Sequence, residues 1–141
     1  ATTSSYMVHP DIGINLEAGV AGDFPGITKD ESQERIGMGP TIFLHDSSMI
    51  PNIKLRDFVK DVAQKKGIPL QFNVLTGYGQ DGSALQRSRE GTPTINIAIP
   101  TRYLHSHNSV ISHKDFEQAV SLVRSLVEGL DSKTVEYIKK F

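Results

Sequence analysis

The chain has 141 residues, and its 15 basic and 16 acidic side chains leave a net charge of −1. That length suits one domain, and the charge balance excludes the basic footprint that a nucleic acid or an anionic membrane would require. The absence of cysteine excludes disulfides, thiolate catalysis and zinc–thiolate sites. No apolar run approaches the roughly 20 residues of a bilayer span. Residues 1–5 have neither the basic region nor the apolar core of a secretion signal, so the expected location is the cytoplasm. The chain does not start with methionine, and it reads as cut from something longer.

Apolar runs alternate with helical patterns, which predicts an α/β fold. Ile12, Ile14 and Leu16 share one face of a strand that ends at Glu17, and a Gly/Pro loop over 18–26 follows. A second strand is expected over 41–45. Leu55, Phe58, Val59, Val62 and Ala63 form one apolar stripe of a helix over 54–66, which Gly67 stops and Pro69 cannot continue. Residues 70–75 read as a strand. The loop Gly77-Tyr78-Gly79-Gln80-Asp81-Gly82 leads into a helix over 82–90, with Asp81 as N-cap. Residues 94–99 read as a strand with Ile95, Ile97 and Ile99 inward. The longest helix is expected over 113–129, buried along Phe116, Ala119, Val120, Val123, Leu126, Val127 and Leu130. A short helix over 131–140 opens on Asp131.

Carboxylates and histidines where strands give way to loops are the candidates for chemistry, because open α/β sheets place their sites there. Glu17 reads either as an exposed loop acid or as a metal ligand or catalytic acid. Asp23, between Gly22 and Phe24-Pro25-Gly26, reads first as a turn-holding residue. Among His9, His45, His105, His107 and His113, His105 stands out because it follows a buried strand and a Pro-Thr-Arg-Tyr turn; His107 lies two residues on. No His-Glu-x-x-His, Gly-x-Ser-x-Gly or P-loop is present.

Several segments, in order along the chain, resemble the C-terminal part of the tetrahedral aminopeptidases, which include glutamyl and deblocking aminopeptidases and members once labelled endoglucanase. They are Pro10-Asp11-Ile12-Gly13-Ile14-Asn15-Leu16-Glu17, Ala21-Gly22-Asp23-Phe24-Pro25-Gly26, Met38-Gly39-Pro40, Asp46-Ser47-Ser48-Met49-Ile50, Gly67-Ile68-Pro69-Leu70-Gln71-Phe72 and Pro100-Thr101-Arg102-Tyr103-Leu104-His105-Ser106. The resemblance implies a three-layer α/β fold, a mixed central sheet flanked by helices, as in the C-terminal portion of a dinuclear zinc-exopeptidase catalytic domain. It places the N-terminal portion and an inserted β-rich domain outside residues 1–141. It also implies a metal-dependent aminopeptidase that uses two divalent ions, zinc or cobalt, on peptide substrates. A homo-oligomer is expected, since the family forms tetrahedral dodecamers, and neither nucleic acid nor membrane is expected as a partner.

By the same resemblance Glu17, where the family more often has aspartate, and His105 are metal ligands, one to each ion. The general-base glutamate would lie just upstream of Ala1, so no catalytic residue is expected within the chain. Asp23 is expected to shape the loop or support the ligands, with the ligand role in place of Glu17 as its alternative. Tyr78, Gln80 and Asp81 are expected to face the substrate cleft, although Gln80 stands where the family has threonine and Tyr78 is bulky, so substrate preference does not carry over. The rival readings are a glycoside hydrolase, following the old endoglucanase label, and a homologue that only assembles. The first would need two carboxyls flanking a glycosidic bond.

Overall fold

The computed structural model describes residues 1–140. The elements in chain order are α1 Thr2–Val8, β1 Gly13–Val20, β2 Thr41–His45, α2 Ile53–Lys66, β3 Gln71–Val74, α3 Gly82–Gln86, β4 Thr94–Arg102, β5 Val110–Ile111, α4 His113–Gly129 and α5 Ser132–Lys139. The strands form one sheet in the order β1-β4-β2-β3, with β5 paired to β4. β4 is parallel to β1 and antiparallel to β2, and β2 is parallel to β3. The sheet is mixed, as expected.

Side chains alternate across a strand, and β4 shows what each face is for. Ile95 and Ile97 enter the main core with Ile42 of β2, Leu55 and Val59 of α2, and Leu122 and Leu126 of α4. The opposite face carries Asn96 and Ala98. There α3 lies so close that a Cβ on Gly82 would overlap Asn96 Oδ1. Helices on both faces make three layers.

α2 follows its sequence closely. Asn52 Oδ1 accepts the Leu55 N–H at 2.9 Å, and Gly67 ends the helix in the left-handed region at φ 64°. Leu55, Val59 and Ala63 are buried, with Phe58 and Val62 packed at their edge.

Four expectations need correction. β1 does not end at Glu17 but continues to Val20, paired in register with β4 as far as Val20 and Thr101. Gly19 must lack a side chain there, since a Cβ would overlap the Glu34 carboxyl; this glycine is a packing requirement, not a turn. β4 likewise runs through Pro100 to Arg102. The missing N–H is tolerated because Pro100 falls between residues 97–98, which face β2, and residues 101–102, which face β5. α3 stops at Gln86, short of residue 90, because Arg89 and Gly91 adopt positive φ; Asp81 is its N-cap residue but makes no side-chain cap bond.

The fourth correction concerns α4. Its buried residues are Asp115, Ala119, Leu122 and Leu126, whereas Phe116, Val120 and Val127 are 45%, 52% and 63% exposed. Three of the seven expected stripe residues therefore face outward. Phe116 and Val120 line an apolar groove of about 790 Å³ between α4 and the β1–β4 face, with Leu16, Ile97 and Ile99 across from them. α1 and β5 were not anticipated from the sequence. Among the described residues, no helix is long and apolar enough to cross a membrane.

Candidate active site

Glu17 projects from the middle of β1, and His105 lies in the turn that leaves β4. Both line one cavity of about 310 Å³, together with Tyr78, Gln80 and Leu104. The parallel pairing of β1 with β4 sets Glu17 beside Ala98, so the path from the sheet to the turn is short. Two of the three residues in the Tyr103-Leu104-His105 turn are left-handed, with φ of 59° at Tyr103 and 63° at His105. That region costs side-chain-bearing residues free energy, and such residues concentrate at functional sites. His107 is exposed and does not line the cavity.

The donor set suits a divalent cation in part. Glu17 offers a hard carboxylate oxygen and His105 an imidazole nitrogen, both common ligands of zinc and cobalt. Asn15 Nδ2 donates to Glu17 Oε1 at 3.1 Å, and among the described residues no hydrogen bond reaches Oε2 or the His105 ring. No three His, Asp or Glu side chains converge as a metal site among the described residues.

Residues 77–80 form one wall. Tyr78 stands edge-on to Phe43, with ring centroids 6.5 Å apart. Burial raises the Tyr78 phenol above its ordinary value, and the carboxyls of Glu34 and Glu17 push the same way. Gln80 lines the cavity, yet both atoms of its carboxamide are buried without a partner. Asp81 is 69% exposed and lies outside the cavity lining.

Asp23 is held elsewhere. Its Oδ1 accepts from Arg102 Nε at 2.7 Å and its Oδ2 from Arg102 Nη2 at 2.9 Å, while the Ile36 N–H donates to Oδ2 at 3.0 Å. The hydrogen bond from Arg102 holds the Asp23 carboxyl below its ordinary value. Next to this pair, the rings of Phe24 and Tyr103 lie 5.2 Å apart.

Sequence reasoning missed the polar layer beneath Glu17. Asn96 and Asp46 are each only 1% exposed and bonded to one another. The available signal was asparagine at alternate positions of otherwise apolar strands, Asn15 in β1 and Asn96 in β4. Glu34 was also missed. It is fully buried against Gly19, with Asn73 Nδ2 donating to Oε1 at 2.6 Å and Oε2 unpaired. Burial raises its carboxyl to about 7. A proton on Oε2 would turn an orphaned acceptor into a donor.

Known proteins share this arrangement of elements. A TET aminopeptidase from the marine sediment archaeon Thaumarchaeota archaeon SCGC AB-539-E09 superposes with a TM-score of 0.95 at 42% identity, over 98% of this chain and 38% of that one. The TET1 peptidase of Pyrococcus horikoshii, which can assemble into a tetrahedron or a large octahedral shell, superposes with a TM-score of 0.68 at 27% identity, over 89% of this chain and 37% of that one. The lysyl aminopeptidase of Pyrococcus furiosus is 32% identical over 92% of this chain and 36% of its own length. The chain thus spans about 40% of the length of the relatives it matches. The family model of M42 glutamyl aminopeptidases matches residues 1–122, and the chain belongs to that family.

Proposed function

We propose that this chain is the C-terminal portion of a metal-dependent aminopeptidase catalytic domain, and that it supplies Glu17 and His105 as ligands, one to each of two divalent metal ions. The observation that carries this reading is the meeting of these two side chains, remote in sequence, in one cavity. Such ions supply Lewis acidity, which polarises a carbonyl and lowers the pKa of water toward neutrality. The chain's own residues do the rest of what can be derived. Glu17 offers its carboxylate from a rigid strand. His105 is set by a strained turn that the Asp23–Arg102 pair braces. Tyr78 and Leu104 restrict the space beside both donors, so a peptide would enter against the loop 77–81. The family resemblance implies a general base upstream of residue 1.

Zinc or cobalt, a peptide substrate, a cytoplasmic location and a homo-oligomer complete the proposal; the last rests on the assemblies formed by the TET relative. A glycosidase would need two carboxyls about 5–9.5 Å apart across the scissile bond. Among the described residues Glu17 is the one carboxylate lining the cavity, and it shares that lining with the His105 imidazole; the chain also has no tryptophan to stack a sugar. The test is hydrolysis of an amino-acyl nitroanilide by the complete polypeptide, with and without EDTA, alongside elemental analysis of Glu17→Gln. EDTA-sensitive turnover and loss of one metal equivalent are expected. Turnover indifferent to EDTA would overturn the reading, and full metal content with no turnover on any peptide would favour a homologue that only assembles.

A further inference from the structure

Glu17 is the outer end of a hydrogen-bonded chain that runs across one face of the sheet to a buried carboxylate. Asn15 Nδ2 donates to Glu17 Oε1 at 3.1 Å and to Asn96 Oδ1 at 3.0 Å. Asn96 Nδ2 donates to Asp46 Oδ2 at 3.2 Å. Asp46 Oδ1 accepts from Ser48 N at 2.7 Å, Ser48 Oγ at 2.6 Å and Met49 N at 2.9 Å. The register of β1 on β4 places Asn15 directly beside Asn96.

The polarity of this chain is fixed from its inner end. Asp46 can only accept, so Asn96 must turn its amide nitrogen toward it and its carbonyl oxygen toward Asn15. Asn15 must then present its nitrogen, and the two N–H bonds of that nitrogen serve Asn96 and Glu17. With Oε1 committed, Oε2 is the oxygen left for another partner. Asn96 itself cannot shift toward α3, because Gly82 lies against its Oδ1 so closely that no Cβ would fit. The loop 77–81, whose residues 77–80 wall the cavity, feeds directly into that glycine. One buried network therefore sets both the Glu17 carboxylate and the start of the helix behind the loop.

We infer that Asn15, Asn96 and Asp46 are positioning residues for a metal ion at Glu17, holding its carboxylate ready before the ion arrives. This rests on the reading of Glu17 as a ligand. The physical reason is that partners behind a metal ligand fix its orientation, and their loss typically lowers metal affinity by about 10–100-fold. A half-buried glutamate without them samples several rotamers and must be ordered at each binding event.

The test uses zinc alone, competed against a chromophoric chelator, on the complete polypeptide. Glu17→Gln, Asn15→Ala and the bulkier Asn15→Leu are compared, each also melted in its metal-free form. Loss of one zinc in Glu17→Gln is expected, together with affinity about 10–100-fold weaker at that site in both Asn15 variants and metal-free melting close to the parent. If Glu17→Gln loses its zinc while both Asn15 variants bind as the parent does, the positioning role is wrong and the ligand reading stands. If Glu17→Gln keeps both zinc ions, the ligand reading fails and takes this inference with it. If both Asn15 variants melt far below the parent without metal, the network serves the fold and the inference is overturned.

Discussion

Asp23 and Arg102 form a two-pronged ion pair that joins the loop after β1 to the end of β4, three residues before His105. The Asp23 side chain is 12% exposed and the guanidinium 34%, so the pair is sheltered on the carboxylate side. Asp23→Asn keeps a hydrogen-bond acceptor but loses the charge, and it is expected to cost about 1–3 kcal/mol at neutral pH. Because Arg102 lowers the Asp23 pKa, the stability it contributes is present above the ordinary value of 3.8 and is lost as pH falls through the depressed one. Urea melts of parent and variant should therefore converge in strong acid. Metal content should stay at the parental level; an emptied site would make Asp23 a ligand.

His105→Ala is expected to remove one metal equivalent from the complete polypeptide, whereas His107→Ala leaves metal content unchanged. His105 lines the cavity with Glu17 and His107 does not. A deleted ligand should exceed the roughly 10–100-fold effect of an outer partner. Elemental analysis after dialysis distinguishes the two variants.

Glu34→Gln is expected to remove a pH dependence of stability. The carboxyl is raised from 4.5 to about 7 by burial, so the folded state holds the proton more tightly than the unfolded one. Its contribution is full below 4.5 and is lost as pH rises through about 7. A shift of that size corresponds to about 3 kcal/mol. Parent and variant should melt alike near pH 4, with Glu34→Gln the more stable in mild alkali. Equal dependence on pH in both would show that Glu34 does not hold the proton.

Gln80→Met should leave stability unchanged or raise it by about 1 kcal/mol. The Gln80 carboxamide is buried with neither atom paired, and replacing an orphaned polar group by an apolar one of similar size removes its desolvation penalty. Thermal melting of the two proteins decides; a large loss would mean that the amide has a partner in the folded protein.

Much of the fold was legible in the residues because local signals agreed. In α2 the apolar stripe and the Gly67 stop both point to one helix, and the structure starts it one residue earlier than expected, at Ile53 behind the Asn52 cap. The sequence misled where tertiary packing chose the residue. Gly19 and Pro100 read as chain breakers, yet one makes room for Glu34 and the other falls in a gap of the ladder. The outer stripe of α4 has the periodicity of a buried face and lines an open groove instead. In the site, no spacing rule relates Glu17 to His105, because the parallel pairing of β1 with β4 that joins them is non-local. The family resemblance named both residues. Asp46 opens one of the resembling segments but was given no role there, and Glu34 lies outside them all, where an isolated acid in a polar stretch looks like any solvated one.

β4 is the strand on which β1, β2 and β5 all depend, and it lies late in the chain. At the synthesis rate of about 5–20 residues per second, β1 leaves the ribosome on the order of 4–16 seconds before its partner in the sheet exists. Until then β1 lacks the strand with which it pairs from Gly13 to Val20. Pairings of such long sequence separation slow folding and leave apolar strands open to wrong partners. The helical half around α2 can organise early, but the cavity that joins Glu17 to His105 closes only when the last third of the chain arrives, so nascent chains stalled before residue 94 should be the ones that chaperones hold.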